Sequence, residues 1–334
     1  MSKNRSDLRI FVDSGAPSLY NTLARADKGA GHMGSYLSDR KYDDFSWITT
    51  PDYLRYRDAY IEFIKKYIDY IDVYANLDII NNAEATWANQ QYLEAAGIKP
   101  IPVWHFGCDV KWLLMYLEKG YDYIAIGGLV PNPPKILIPA LDEIFSKYLT
   151  DSKGMPLVKL HGFAVTSPKL VVRYPWYSVD STSWVKFGKY GIVCIPRIRN
   201  GVFIYEDSSW SVCVSNRSPS QKIEGKHFST LSEAEQNFIL EYIHKKGYKM
   251  GSSEFHKESK DYKLKDNERW IGKKGSDERI VETIVEQGLC NDYRLRDELN
   301  IIYYLDLQKS VPEWPWAFKH KSKTRGFDLF GRNK

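Results

Sequence analysis

Tyr177-Ser-Val-Asp180-Ser-Thr-Ser-Trp184 is the stretch on which the reading of this chain turns. A short β-prone run ends at Asp180 and gives way to three small hydroxyl side chains and a tryptophan. A carboxylate at the carboxyl end of a strand, beside local hydrogen-bond donors, is where a (β/α) barrel keeps its reactive groups. The plainer alternative is an Asx turn, in which Asp180 only caps a chain reversal. A second stretch of the same kind, Ile10-Phe-Val-Asp13-Ser14-Gly15, opens the chain. Two strand-end carboxylates far apart in sequence meet at one mouth if both strands belong to one barrel, so Asp13 and Asp180 are read together.

Between them strand and helix patterns alternate. Strands are expected at 8–13, 72–78, 100–106, 122–127, 157–163 and 176–180. Thr50-Pro51 gives an N-cap and a proline at the first helical position, and further helices fit 83–96, 109–119, 134–149 and 167–173. The first helix carries Tyr53, Tyr56, Tyr60, Ile64, Tyr67 and Ile71 on one face, a stripe read as packing. Each βα unit takes roughly 25 residues, which implies a parallel sheet with helical crossovers. That rhythm alone does not separate a closed (β/α)8 TIM-type barrel from a doubly wound sheet. No GxGxxG follows the first strand, which counts against the dinucleotide-binding form of the latter. Residues 17–48, rich in Gly, Ser and Asp, read as a long loop of the kind that covers a barrel mouth.

After Trp184 the grammar changes. Residues 192–199 and 202–205 flank Asn200-Gly201, a two-residue hairpin signal, and a strand follows at 211–214. Ser232 and Glu235 form a capping box for a helix over 232–246, with Gly247 at its stop. A basic loop to 275 then leads to helices near 276–287 and 292–308. The division expected is a barrel over 1–215, carrying the hairpin 192–205, and a helical, basic C-terminal extension over 216–334.

The 334 residues are 43% hydrophobic, enough for a large core. Four scattered cysteines with no CxxC pair suit a reducing compartment and offer no cysteine-built zinc site. No signal peptide or membrane-length apolar run is seen, so a cytoplasmic protein without a membrane partner is expected. The net charge of +5 is uneven: residues 245–274 and 319–334 each carry +5, leaving the remainder at −5. Such asymmetry points to a polyanionic partner, or to a solvated tail in the case of the last residues.

Four stretches, each at an expected strand end, resemble the tRNA-guanine transglycosylase superfamily in that family's order. They are Asp13-Ser14-Gly15, Leu77-Asp78, Ile126-Gly127-Gly128-Leu129 and Val179-Asp180. Two departures accompany them. The family's Cys-x-Cys-x-x-Cys zinc site after the nucleophile is absent, and Asp-Ser-Gly-Gly-Phe-Gln is here Asp13-Ser-Gly-Ala-Pro-Ser18. The Asp180-Ser-Thr-Ser-Trp184 form is more similar to the divergent phage branch, which inserts 7-deazaguanine bases into DNA.

The resemblance implies a pentosyltransferase, and with the zinc motif absent no metal or cofactor is expected. Its partners would be DNA and a free 7-deazaguanine such as 7-cyano-7-deazaguanine, with tRNA as the alternative polymer. By the same resemblance Asp180 is the nucleophile and Asp13 the general acid/base. Asp78 would accept from the guanine edge, with Ser14, Gly127 and Gly128 beside it and the Gly128 N–H free to donate. His105 stands where the family often has glutamine, and His161 is a further candidate; each is alternatively a satisfied core histidine. Lys273, Lys274, Lys319, Lys321, Lys323 and Arg325 are the expected phosphate contacts. Competing readings are a nucleic-acid-binding barrel without catalysis and a metal-dependent barrel hydrolase. The second would want a His-x-His on an early strand, and Val12-Asp13-Ser14 offers none.

Overall fold

A computed structural model describes residues 9–16, 45–130, 132–217, 224–271 and 279–319. The long loop expected at 17–48 falls outside these residues up to position 44, as does most of the basic tail. The chain divides into two compact units. The first runs to Val165 and adds Arg173–Asp180 and the segment from Glu313; the second comprises Thr166–Val172 and Ser181–Pro312.

Six strands of the first unit appear where hydrophobic patterning places them: β1 (Phe11–Val12), β2 (Val73–Tyr74), β3 (Val103–His105), β4 (Tyr123–Gly127), β5 (Lys159–Gly162) and β6 (Ser178–Val179). They pair parallel and in chain order. β1 lies beside β2, an Ala75–Ile101 bridge leads on toward β3, and β3 to β6 form one four-stranded sheet. The crossovers are α1 (Pro51–Tyr67), α2 (Ala83–Ala95), α3 (Lys111–Glu118) and α4 (Pro134–Ile144). Ile124, Ala125 and Ile126 in succession are inaccessible, so β4 is covered on both faces.

The sheet is rolled. In a flat sheet β1 and β5 would stand about 19 Å apart, four intervals of roughly 4.8 Å. Instead the Phe11 ring of β1 stacks on the His161 ring of β5 with centroids 4.3 Å apart. Small residues permit this curvature: Ala75, Val103 and Ala125 form the inner cluster against which Phe11 and Phe163 pack. α1 starts as its signals require, with Thr50 Oγ1 accepting from Tyr53 N–H at 3.3 Å behind Pro51. Its stripe divides, because Tyr53, Tyr60 and Ile64 are buried while Tyr56 and Tyr67 remain partly open to solvent.

The second unit contains α5 (Pro168–Val171), α6 (Ser183–Lys189) and an antiparallel pair, β7 (Ile192–Ile195) with β10 (Trp210–Cys213). Between them lies the hairpin of β8 (Arg197–Arg199) and β9 (Val202–Ile204), turned by Asn200 and Gly201. Both turn residues have positive φ, 52° and 76°, the geometry that makes Asn-Gly a hairpin signal. α7 (Glu233–Lys245) carries the expected capping box of Ser232 and Glu235. The unit's core sets Val193, Ile195 and Val212 against Ile239, Tyr242, Ile243 and Leu299.

Two expectations are corrected here. The stretch 245–275 is not all loop and 276–287 is not helical. β11 (Ser252–Glu258), β12 (Glu268–Ile271) and β13 (Arg279–Glu286) form an antiparallel sheet with β13 in the middle. The apolar spacing Ile280, Val281, Ile284, Val285 mimics a helical face, but the run Ile-Val-Glu-Thr-Ile-Val is dominated by β-branched residues, which favour the pleated state. The extension is therefore mixed rather than helical. Within the second compact unit, β7 pairs with β10 and packs beside α8 (Tyr293–Ser310). No helix among the described residues is long and apolar enough to cross a membrane.

Candidate active site

Asp13, Asp78 and Asp180 each lie just beyond a parallel strand, after β1, β2 and β6. Their side chains fall into two hydrogen-bonded groups that Asp13 connects electrostatically.

The first group is centred on Asp78, which is 8% exposed. Its Oδ1 accepts from Ser14 Oγ at 3.1 Å, and its Oδ2 is 2.8 Å from His105 Nε2. Ser14 is in turn held by Tyr56, whose hydroxyl donates to the Ser14 carbonyl at 2.7 Å. The backbone beside Asp78 is fixed by α2: Asn89 Nδ2 donates to Leu77 O at 2.7 Å, and Ile79 N–H donates to Thr86 Oγ1 at 2.9 Å. Gly127 is needed here for space. A Cβ on it would lie 2.8 Å from His105 Cδ2, so only glycine lets the imidazole cross the end of β4. Gly128 has a φ of +70°, and a Cβ there would crowd the Phe106 carbonyl at 3.1 Å.

The second group surrounds Asp180. Its Oδ1 accepts from Ala164 N–H at 2.6 Å, and Ala164 takes a left-handed φ of 57°. His161, 2% exposed, lies between aromatic rings: Phe11 is stacked on it, and Phe163 meets it edge-on at 4.6 Å. His161 Nδ1 is 2.6 Å from Ser178 Oγ, which is 2.5 Å from Tyr123 OH. If Tyr123 donates to Ser178 and Ser178 to Nδ1, the ring proton sits on Nε2. Nε2 is 3.9 Å from Asp180 Oδ1, too long for a hydrogen bond, and has no partner among the described residues.

These surroundings shift the acidities of the site. Burial pushes the Asp13 carboxyl up, and the negative charges of Asp78 and Asp180 push it further, against the N–H groups of Gly15 and Ser14. Burial also raises Asp180, but the Ala164 N–H and its own N–H oppose the rise. Burial lowers His161 to about 4, so the ring is neutral at pH 7. Of the two outer carboxyls, Asp13 is the one that like charges push toward holding a proton. Asp180 is also raised by burial, with no carboxylate charge among the causes of its shift.

Ser14, Asp78 and His105 thus form one hydrogen-bonded network beside Gly127 and Gly128, while His161 lies 3.9 Å from Asp180 without a hydrogen bond to it. Lys319 is exposed, whereas Lys273, Lys274, Lys321, Lys323 and Arg325 lie outside the described residues. Sequence reasoning missed Tyr56, Tyr123, Ser178 and Ala164. Ser178 was within reach of it: two residues before Asp180 on one strand, it shares a side with that carboxylate. Tyr56 stood in a stripe read wholly as packing, and nothing in the sequence marks Ala164.

A rolled parallel sheet thus carries three carboxylates beyond its strand ends, with Asp13 and Asp180 both pushed up by burial. Among the described residues no group of three or more His, Cys, Asp or Glu is placed to hold a metal ion. No family model, curated protein or solved structure matched the chain.

Proposed function

We propose that this protein is a transglycosylase that exchanges a guanine base in DNA for a free 7-deazaguanine, with its rolled parallel sheet forming part of a (β/α)8-type barrel. The observation that carries the reading is the stacking of Phe11 on His161 at 4.3 Å, which sets the end of β1, with Asp13 two residues on, beside the imidazole that lies 3.9 Å from Asp180.

Exchange at C1′ with retained configuration takes two displacements. In the first, ionised Asp180 attacks C1′. The C1′–N9 bond breaks, its electron pair leaves with guanine, and protonated Asp13 supplies the proton that guanine needs. In the second, Asp13, now ionised, takes a proton from the incoming base. The base attacks C1′ and the Asp180 carboxylate is released. Asp78 uses one lone pair on each oxygen for Ser14 and His105. The remaining lone pairs can accept from the amine and ring N–H of a guanine edge. A guanine inside a duplex is out of reach of such a site, so it must be extruded or single-stranded.

The test is incubation of the protein with labelled guanine and either duplex DNA or tRNA at matched salt. The reading expects label in DNA. Label in tRNA alone assigns the same chemistry to the other polymer, and label in neither removes the proposal.

A further inference from the structure

The second unit contains a cavity of about 590 Å³ that takes no part in the carboxylate chemistry. One wall is the end of α6 with Lys189 and Tyr190, another the turn after β10 with Arg217, a third β12 with Arg269, and the last the first turns of α8 with Tyr293 and Arg296. Gly188 sets the spacing of α6 and α8, since a Cβ on it would collide with Asp297 at the start of α8.

Four cationic side chains face this space with little to balance them. Glu282, fully buried behind the wall, accepts from Arg217 at 2.8 and 3.0 Å and from Arg269 at 2.7 Å, so one carboxylate serves two guanidinium groups. Arg296 is 5% exposed and donates to carbonyls, from Nε to Gly188 O at 2.8 Å and from Nη1 to Leu289 O. No carboxylate among the described residues lies within ion-pair distance of it. Asp292 and Asp297 act on Arg296 from beyond ion-pair distance, and a buried arginine keeps its charge, so the missing direct pair is costly. Asp297, the acid on the wall, is pushed up by burial, and its Oδ1 finds no partner among the described residues. Asp292 is engaged as the cap of α8, accepting from Arg294 N–H at 2.8 Å. The positive end of that helix adds to the same potential.

We propose that this cavity is an anion site for the phosphate ester of a nucleotide. Planar guanidinium forks suit phosphate oxygens, and one bound phosphate would supply the direct ion pair that Arg296 lacks among the described residues. Tyr190 and Tyr293, 68% and 52% exposed at the rim, offer ring faces for the attached nucleoside. Two sources share this chemistry, a free nucleotide and the backbone of a polynucleotide strand.

Titration of the full chain with thymidine 5′-monophosphate and with a short single-stranded oligothymidylate, at low salt and with no free base, tests the site. Lys189→Glu reverses a rim charge on an exposed residue. Arg217→Lys keeps the charge facing Glu282 while removing the fork. Each variant is expected to weaken binding by about tenfold, one factor of ten being the scale of a single charge-assisted contact. Binding of both probes identifies a free-nucleotide site, and binding of the oligothymidylate alone identifies a backbone site. Absence of binding to either probe, or affinities unchanged in both variants, overturns the proposal. The outcome is independent of base exchange, because these probes carry no guanine.

Discussion

The Nε2 atom of His161 sits 3.9 Å from Oδ1 of Asp180, buried and without a hydrogen-bond partner among the described residues. The ring is held by Ser178 and the stacked Phe11, so its orientation does not depend on Asp180. It is a neutral group beside the proposed nucleophile.

This has a consequence for stability. The unfolded chain protonates His161 near its ordinary value of 6.5, whereas the folded chain does so only near 4. Between these values the unfolded state binds the extra proton, so stability falls as pH drops from about 6.5 to 4. The full effect is on the order of 3 kcal/mol. His161→Gln, whatever its stability at pH 7, should flatten that part of the curve. Denaturant unfolding across the window measures it, and an unchanged slope in the variant would show that His161 is not the titrating group.

Gly127→Ala places a methyl against the His105 ring at the end of β4. Either the ring turns away from Asp78 or the strands shift, at a cost of about 1–3 kcal/mol. A lowered melting temperature, with histidine resonances showing loss of the His105–Asp78 contact, is expected. A variant as stable as the parent would mean that the ring has room to move.

Glu282 holds Arg217, Arg269 and Ser253 from a fully buried position. Burial pushes its carboxyl up, but the hydrogen bonds from Arg269, Arg217 and Ser253 together hold it below the ordinary 4.5. Its stabilising contribution is therefore complete above pH 4.5 and is lost as pH falls through the lower folded value. Glu282→Gln leaves two guanidinium groups without their counter-charge and should destabilise by about 3–5 kcal/mol at neutral pH. Thermal unfolding checks this, and the difference between variant and parent should shrink in acid.

The first unit was legible because its signals are local and agree with one another. Thr50-Pro51 starts α1, and the apolar runs at β3, β4 and β5 lie in sequence where they lie in the fold. Asp13, Asp78 and Asp180 were readable as strand-end carboxylates for the same reason. The sheet at 252–286 was not, because the β13 apolar spacing satisfies a helical period as well as a strand, and only its pairing with β11 and β12 decides between them. Site residues that act through long-range contacts were also hidden. Tyr56 reaches Ser14 across 42 positions and Tyr123 reaches Ser178 across 55, distances over which sequence carries no register.

The central claim is that Asp180 becomes covalently attached to the sugar from which guanine departs. Denaturing electrophoresis and peptide mass spectrometry of the protein quenched with guanine-containing DNA test it directly. A DNA adduct on the peptide carrying Asp180 is expected with the parent protein, and none with Asp180→Asn, although that variant should still bind DNA. Label exchange by Asp180→Asn at the parent rate, or an adduct that survives the substitution, would contradict the account.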